Sequence, residues 1–379
     1  MLLYQENQRY FAQFPKGFDA MAVQELTQLG ATAIEIAGLG AYFTADAKTL
    51  YRINYASRLL IRVLAPLFSF PCKTTDQLHA QAKAKDWAAV MDPSRTFAIF
   101  ANVQHSAITH SQFATLRLKD AIVDRFRETG RKRPQVERQT PDYRFSLYIH
   151  RDQAVVSLDT SGGSLHRRGY RQTTVPAPLQ ETLAAAILET AGWDGTCPVY
   201  DPMCGSGTLL SEALMRHCRI PAGYLRQRFG FQLLPDFNPI AWRGLKNEMD
   251  RQIRPLLPGL VAGSDLSPQA VQAARTNITT LPYGRRVLIE TSDFRQITKL
   301  NRKLIVVNPP YGIRLEKDRD LSEFYKTLGD FLKQRCQAST AFVYFGEREY
   351  IKHLGLKASL KLPLANADLD GRLVKYELY

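Results

Sequence analysis

Residues 198–210 read PVYDPMCGSGTLL. A short apolar run ends in Asp201, two glycines stand two apart at 205 and 207, and an apolar stretch with helical spacing begins at Thr208. Glycines in a strand–loop–helix turn of this kind let a ligand approach the backbone where a Cβ would clash. The pattern is not a dinucleotide fingerprint, because leucine occupies position 210 where a third glycine belongs. It is not a phosphate loop either, since no lysine follows the glycines. An aspartate at the strand tip suits a ligand that carries a positive ammonium group. The candidate ligand-binding residues of this segment are Asp201, Pro202, Cys204, Gly205, Ser206, Gly207 and Thr208.

Two further acids follow in the same setting. Residues 261–268, VAGSDLSP, put Asp265 and Leu266 at the end of a second β-like run, where a carboxylate accepts hydrogen bonds from a ribose diol. Asp265 lies well beyond the roughly 20 residues that separate glycines and acid in a dinucleotide site. An insertion is therefore expected, and residues 218–258, rich in Pro, Arg and Phe, supply it. In residues 291–294, TSDF, Asp293 is placed to accept from an adenine amino group and Phe294 to pack on the base. Any one of these acids, taken singly, is more often a cap or turn residue. Three in order, each after a β-like run, point to an adenosine-bearing ligand with an amino-acid end.

The fourth piece is LIVVNPPYG, residues 304–312. Two prolines remove two backbone donors and stiffen the loop, leaving carbonyl acceptors. The Asn308 side-chain oxygen and the Pro309 carbonyl would accept from the exocyclic NH2 of a planar base. Pro310 would brace the loop, and Tyr311 would offer a face for stacking. By itself the tetrapeptide is equally a turn. Beside a nucleoside site in one sheet, the catalytic reading is the stronger.

The chain has 379 residues, 45% hydrophobic and 23% charged, which describes a globular protein of two or three domains and excludes a disordered or collagen-like one. The best apolar stretch, residues 59–70, is interrupted by Arg62 and cannot span a membrane. The first ten residues lack the layout of a signal peptide, so a cytoplasmic protein is expected. Five cysteines form no CxxC pair; reduced thiols fit them, and no metal site is expected. A net charge of +14 favours a polyanionic partner, because each phosphate contact releases condensed counterions.

The front of the chain has a different grain. Residues 1–60 read as a small α/β unit with a strand at 10–14, helices at 18–29 and 47–60, and strands at 33–36 and 41–44. In the more basic stretch 61–165, a strand is expected at 96–103. A helix over 112–127 should turn Phe113, Leu116, Ala121, Ile122 and Phe126 inward. Strands at 143–150 and 153–159 follow. Arg117 and Lys119 of that helix, the Arg131-Lys132-Arg133 loop, and Arg167, Arg168 and Arg171 of the step HRRGYR are the candidate RNA contacts. An ordinary solvated face is the plain alternative, since five acids are interspersed between Arg117 and Arg144. From about 166 onward strand and helix alternate, which argues for an open, mostly parallel sheet.

These residues carry a family resemblance. Residues 201–208 resemble the first cofactor motif of class I S-adenosylmethionine-dependent methyltransferases, and 308–311 the motif of those that methylate exocyclic amines. FAQFPKGF (11–18), HRRGYR (166–171), APLQETLAAAIL (177–188), FGFQLLPDFNPIAW (229–242) and the tail 369–378 resemble the THUMP-domain N2-guanine RNA methyltransferases. Within that family the chain is most similar to the bacterial enzymes that modify 23S ribosomal RNA. The resemblance implies an α/β architecture: a ferredoxin-like domain over 1–60, a THUMP RNA-binding domain over 61–165, and a Rossmann-like methyltransferase domain over 166–379 with a mostly parallel seven-stranded sheet. It implies S-adenosylmethionine held by Asp201, Gly205 and Gly207 at the methionine end, by Asp265 at the ribose and by Asp293 at the adenine. Asn308 to Tyr311 would meet the target base. No histidine lies in that motif, so no general base is assigned. The expected partner is 23S rRNA or its assembly intermediates, and the expected species a monomer with one methyltransferase domain. The alternatives are guanine-N2 methylation of tRNA, N6-adenine methylation, and a non-catalytic RNA-binding assembly factor.

Overall fold

Two sheets carry the fold in the computed structural model, which describes residues 1–175, 178–310, 321–365 and 370–379. The first sheet holds β1 (Arg9–Gln13), β2 (Thr32–Ile36), β3 (Gly40–Thr44), β4 (Arg62–Pro71), β5 (Thr96–Gln104), β6 (Gln135–Val136), β7 (Tyr143–His150) and β8 (Gln153–Asp159). Their order is β2-β3-β1-β4-β8-β7-β5-β6. Helices α1 (Leu3–Asn7), α2 (Asp19–Gln28), α3 (Ala47–Ala56), α4 (Thr75–Lys83) and α5 (Ser111–Glu128) belong to this half. β4 is the joint. It pairs with β1, Ala12 opposite Val63, and with β8, from Leu64 opposite Asp159 to Pro71 opposite Gln153. The border expected at 60–61 thus falls just before a strand that hydrogen-bonds to both front units.

Two expectations for this half shift, for local reasons. The second helix stops at Ala56, not 60: the Ser57 hydroxyl donates to Glu25 Oε2 at 2.6 Å and accepts from the Leu60 N–H at 3.1 Å. In α5, Phe113 and Leu116 are exposed, and the buried seam runs through Ala114, Leu118, Ala121, Ile122 and Phe126. Both rows have helical spacing. The row through 113 and 116 continues into Asp120 and Asp124, whose burial would strand carboxylates; the other continues into apolar residues.

The second sheet holds β9 (Val199–Asp201), β10 (Val261–Asp265), β11 (Leu288–Thr291), β12 (Leu304–Val307), β13 (Ser339–Phe345), β14 (Leu360–Pro363) and β15 (Arg372–Leu378), in the order β11-β10-β9-β12-β13-β15-β14. The first five named in that order run parallel, β15 runs antiparallel to β13, and β14 at the edge runs antiparallel to β15. Helices α6 (Glu181–Thr190), α7 (Thr208–His217), α8 (Pro239–Asp250), α9 (Pro268–Ile278) and α10 (Leu321–Arg335) accompany it. All four residues of β12 are buried, as a parallel strand covered on both faces requires. The strand order reverses between β9 and β12, and a crevice opens beyond their carboxyl ends.

The expected insertion clamps the two halves together. Its Phe229, Phe231 and Trp242 pack on Tyr51 and Tyr55 of α3. The Tyr55 and Tyr4 hydroxyls donate to Asp250 and Asp236, each at 2.6 Å.

Candidate active site

The chemistry-bearing residues meet at the crevice. Asp201 ends β9, is 2% exposed, and accepts from the Met203 N–H at 3.0 Å. Burial, reinforced by the nearby Asp265 charge and opposed by the Met203 bond, pushes its carboxyl up to about 8. The loop beyond needs its glycines: Gly205 has φ +53°, and Gly207 has φ +81° where it opens α7. A Cβ on Gly207 would also stand 3.0 Å from Ala274 Cβ on α9. Asp265 at the tip of β10 draws this loop in, its Oδ2 accepting from the Gly205 N–H at 2.8 Å and its Oδ1 from the Ser267 N–H at 2.9 Å. Asp293 follows β11 and is paired with Arg295, whose guanidinium hydrogen bonds hold its carboxyl below the usual range.

A cleft of about 540 Å³ runs past Pro202, Gly205, Asp265, Leu266, Asp293, Phe294, Asn308 and Pro310. A smaller recess of about 70 Å³ lies behind it, lined by Asp201, Cys204, Ser206 and Thr208. The two share Met203, Gly205 and Asn308. Asn308 Oδ1 is buried and finds no hydrogen-bond partner among the described residues, an acceptor left open at the place where the two spaces join. Pro309 is buried, and Tyr311 lies outside the described residues.

Three family profiles match the chain: the RlmL ferredoxin-like domain over residues 9–64, the THUMP domain over 72–159 and the RMKL-like methyltransferase domain over 168–375. The chain belongs to the RMKL-like methyltransferase family. One relative is slr0064 of Synechocystis sp., provisionally named an RNA methyltransferase, 38% identical over 98% of this chain and 97% of its own. Another is the ribosomal RNA large subunit methyltransferase K/L of Syntrophotalea carbinolica, 39% identical over 98% of this chain. The chain spans about half the length of the K/L relatives, 53% in that case. Among solved structures, SMU.472, provisionally named a methyltransferase and complexed with SAH, superposes with a TM-score of 0.85 at 26% identity, covering 98% of each chain. The cofactor of this methyltransferase is S-adenosylmethionine, and its site suits that group. The buried Asp201 carboxyl accepts one backbone N–H among the described residues, and the Asp265 carboxylate and the Phe294 ring stand further along the cleft.

The basic candidates separate in the structure. Arg131, Lys132, Arg133 and Arg167 are exposed. Arg117 pairs with Asp76 and Lys119 with Asp120, each at 2.6 Å. Arg168 does not reach the surface, which corrects the expectation for it. It is 1% exposed, pairs with Glu212 of α7 at 3.2 Å and donates to the Arg58 and Leu165 carbonyls. The Arg171 guanidinium turns toward the glycine loop, donating to Ser206 Oγ and Thr208 Oγ1 at 3.0 Å each and pairing with Glu181. The methyltransferase cleft also contains Met203, Arg295, Glu323, Phe324 and Thr327, which the sequence reading missed. The last three lie on α10 at a helical spacing that only the strand order aims at the crevice.

Proposed function

We propose that the chain methylates the exocyclic N2 of a guanine in 23S ribosomal RNA or its assembly intermediates. The K/L relatives support the ribosomal target through the half of their length that this chain matches, and the THUMP match supports RNA as the partner. The observation that carries the chemistry is the buried Asn308 Oδ1, without a hydrogen-bond partner among the described residues, at the junction of cleft and recess. When bound, S-adenosylmethionine supplies an electrophilic sulfonium methyl group. Asn308 Oδ1 and the Pro309 carbonyl accept the two N–H bonds of the guanine amine, favouring a tetrahedral nitrogen with an available lone pair. Its proton leaves to solvent after transfer. Asp201 holds the amino-acid end and Asp265 the ribose, and fixing both reactants supplies on the order of 7–11 kcal/mol of the barrier reduction. The target base must be extruded at a cost of a few kcal/mol, and Tyr311 is placed in sequence to stack on it. Arg131, Lys132, Arg133 and Arg167 contact phosphates.

Nucleoside mass spectrometry of ribosomal and transfer RNA from a deletion strain tests the reading. Loss of N2-methylguanine from 23S rRNA is expected; loss confined to tRNA, or of N6-methyladenine, overturns the target. With purified enzyme, Asn308→Ala should lower methyl transfer by about 10²–10³-fold while cofactor affinity stays. Unchanged turnover removes Asn308 from the mechanism.

A further inference from the structure

The first sheet has a covered and an open face. Tyr143, Phe145, Leu147 and Ile149 of β7 point into the core shared with α4 and α5. On the opposite face, Phe100 of β5 is 41% exposed and Tyr148 of β7 is 37% exposed. The register, Phe100 opposite Ser146 and Asn102 opposite Tyr148, sets the two rings on that face two residue pairs apart along the strands. Single exposed rings are ordinary; this pair is not single, and it is flanked by cations. The Arg62 and Arg144 guanidiniums lie over the Phe100 ring at 5.8 and 5.3 Å. Asp159 neutralises Arg62 at 2.8 Å, while Arg144 has no carboxylate at ion-pair distance among the described residues and donates to the Gln139 carbonyl.

We infer that this open face is a stacking platform for single-stranded RNA, unpaired bases lying on Phe100 and Tyr148 and the backbone on Arg62 and Arg144. The inference rests on the RNA substrate proposed above and names the state in which that RNA is held. A duplex offers edges and phosphates but no free base faces, so rings on a flat sheet select unpaired nucleotides. Charge complementarity selects RNA over an apolar protein segment, because a peptide would have to desolvate Arg144 without a partner. The platform also leads to the chemistry. Gly163 sits beside the Arg144 guanidinium, and the segment from there to Arg171 ends on the glycine loop through Ser206 and Thr208. Beside that segment lies a recess of about 380 Å³ lined by the exposed Arg167 and by the Arg171–Glu181 pair. A strand leaving the sheet face thus meets the exposed Arg167 on its way to the glycine loop.

The test uses the full chain and fluorescein-labelled decauridylate, read by fluorescence anisotropy. Phe100→Ala and Tyr148→Ala should each weaken binding roughly five- to a hundredfold. Phe100→Leu should weaken it likewise, Phe100→Tyr should retain it, and a duplex of equal length should compete poorly. Wild-type affinity in both alanine variants overturns the platform. So does wild-type affinity in Phe100→Leu, which would mark an apolar docking patch, or equal competition by the duplex. Methyl transfer to ribosomal RNA is measured on the same preparations. An enzyme that methylates but ignores Phe100→Ala defeats the platform alone. One that binds through Phe100 but methylates no RNA defeats the active-site reading alone.

Discussion

Replacing Asp201 with Asn should make the cofactor-free protein more stable and the cofactor bind worse, with the stability gain growing with pH. The Asp201 carboxyl is raised from 3.8 to about 8 by burial. Between those values the native chain keeps a proton that the unfolded chain has released, so stability is full below the lower value and falls as pH rises toward the upper one. At pH 7 the difference spans roughly three units at about 1.4 kcal/mol each, or about 4 kcal/mol. Asn copies the protonated carboxyl in shape and can still accept from the Met203 N–H. It removes the titration without opening a cavity. Thermal unfolding without ligand should show Asp201→Asn melting close to wild type near pH 4–5. The variant should melt higher by about ten degrees at pH 7, at about 2–4 °C per kcal/mol for a domain of this size. Saturating S-adenosylhomocysteine should reverse the order, because its ammonium meets a carboxylate only in the wild type. A stability difference that does not change between pH 5 and 8, or equal stabilisation of both proteins by the ligand, would refute the assignment of Asp201.

Other outcomes follow from the same geometry. Asp265→Ala removes the acceptor expected for the ribose and frees the Gly205 and Ser267 N–H groups, so calorimetry should find cofactor affinity reduced about ten- to a hundredfold. Arg168→Met leaves the fully buried Glu212 with only Arg58 at 3.8 Å and the Tyr170 hydroxyl as partners among the described residues, and urea unfolding should show a loss of about 3 kcal/mol. RNA affinity at fixed salt should not change, and weaker RNA binding at undiminished stability would return Arg168 to the RNA face. Replacing Arg131, Lys132 and Arg133 together with Ala should lower the salt slope of RNA binding by about 0.7 for each phosphate no longer neutralised; an unaltered slope makes that exposed loop a bystander.

The parts of the site that lie on one short segment were legible. A strand, its terminal acid and the loop that follows are contiguous in sequence, so Asp201, Asp265, Asp293 and Asn308 could each be placed at a strand tip without knowledge of how the strands are ordered. What joins them is the strand order, and that order is non-local: β12 lies beside β9 because of registers such as Leu304 opposite Val199. Glu323, Phe324 and Thr327 were missed for that reason. Arg168 was misjudged for another. A dense basic step looks like a surface feature, yet the acid that neutralises Arg168, Glu212, lies far along the chain and carries no local signal. In α5, apolar spacing alone left two rows open, and only the polar residues further along the wrong row discriminate.

That same buried acid explains how the front region is held against the catalytic domain. α7 begins at the glycine loop and carries Glu212, which meets Arg168 at 3.2 Å and Arg58 at 3.8 Å. Arg58 follows Ser57, and the Ser57 hydroxyl and the Arg58 and Leu59 N–H groups all donate to Glu25 of α2. An apolar contact of equal area would tolerate sliding, whereas a buried ionic network is satisfied in one arrangement and strongly penalised in its neighbours. Together with the aromatic cluster around Trp242, it ties the first sheet to the helix that follows the cofactor loop. The distance from Phe100 to Asn308 is therefore set by packed side chains and not by a slack linker. An RNA gripped at the first sheet meets the cleft at a fixed reach.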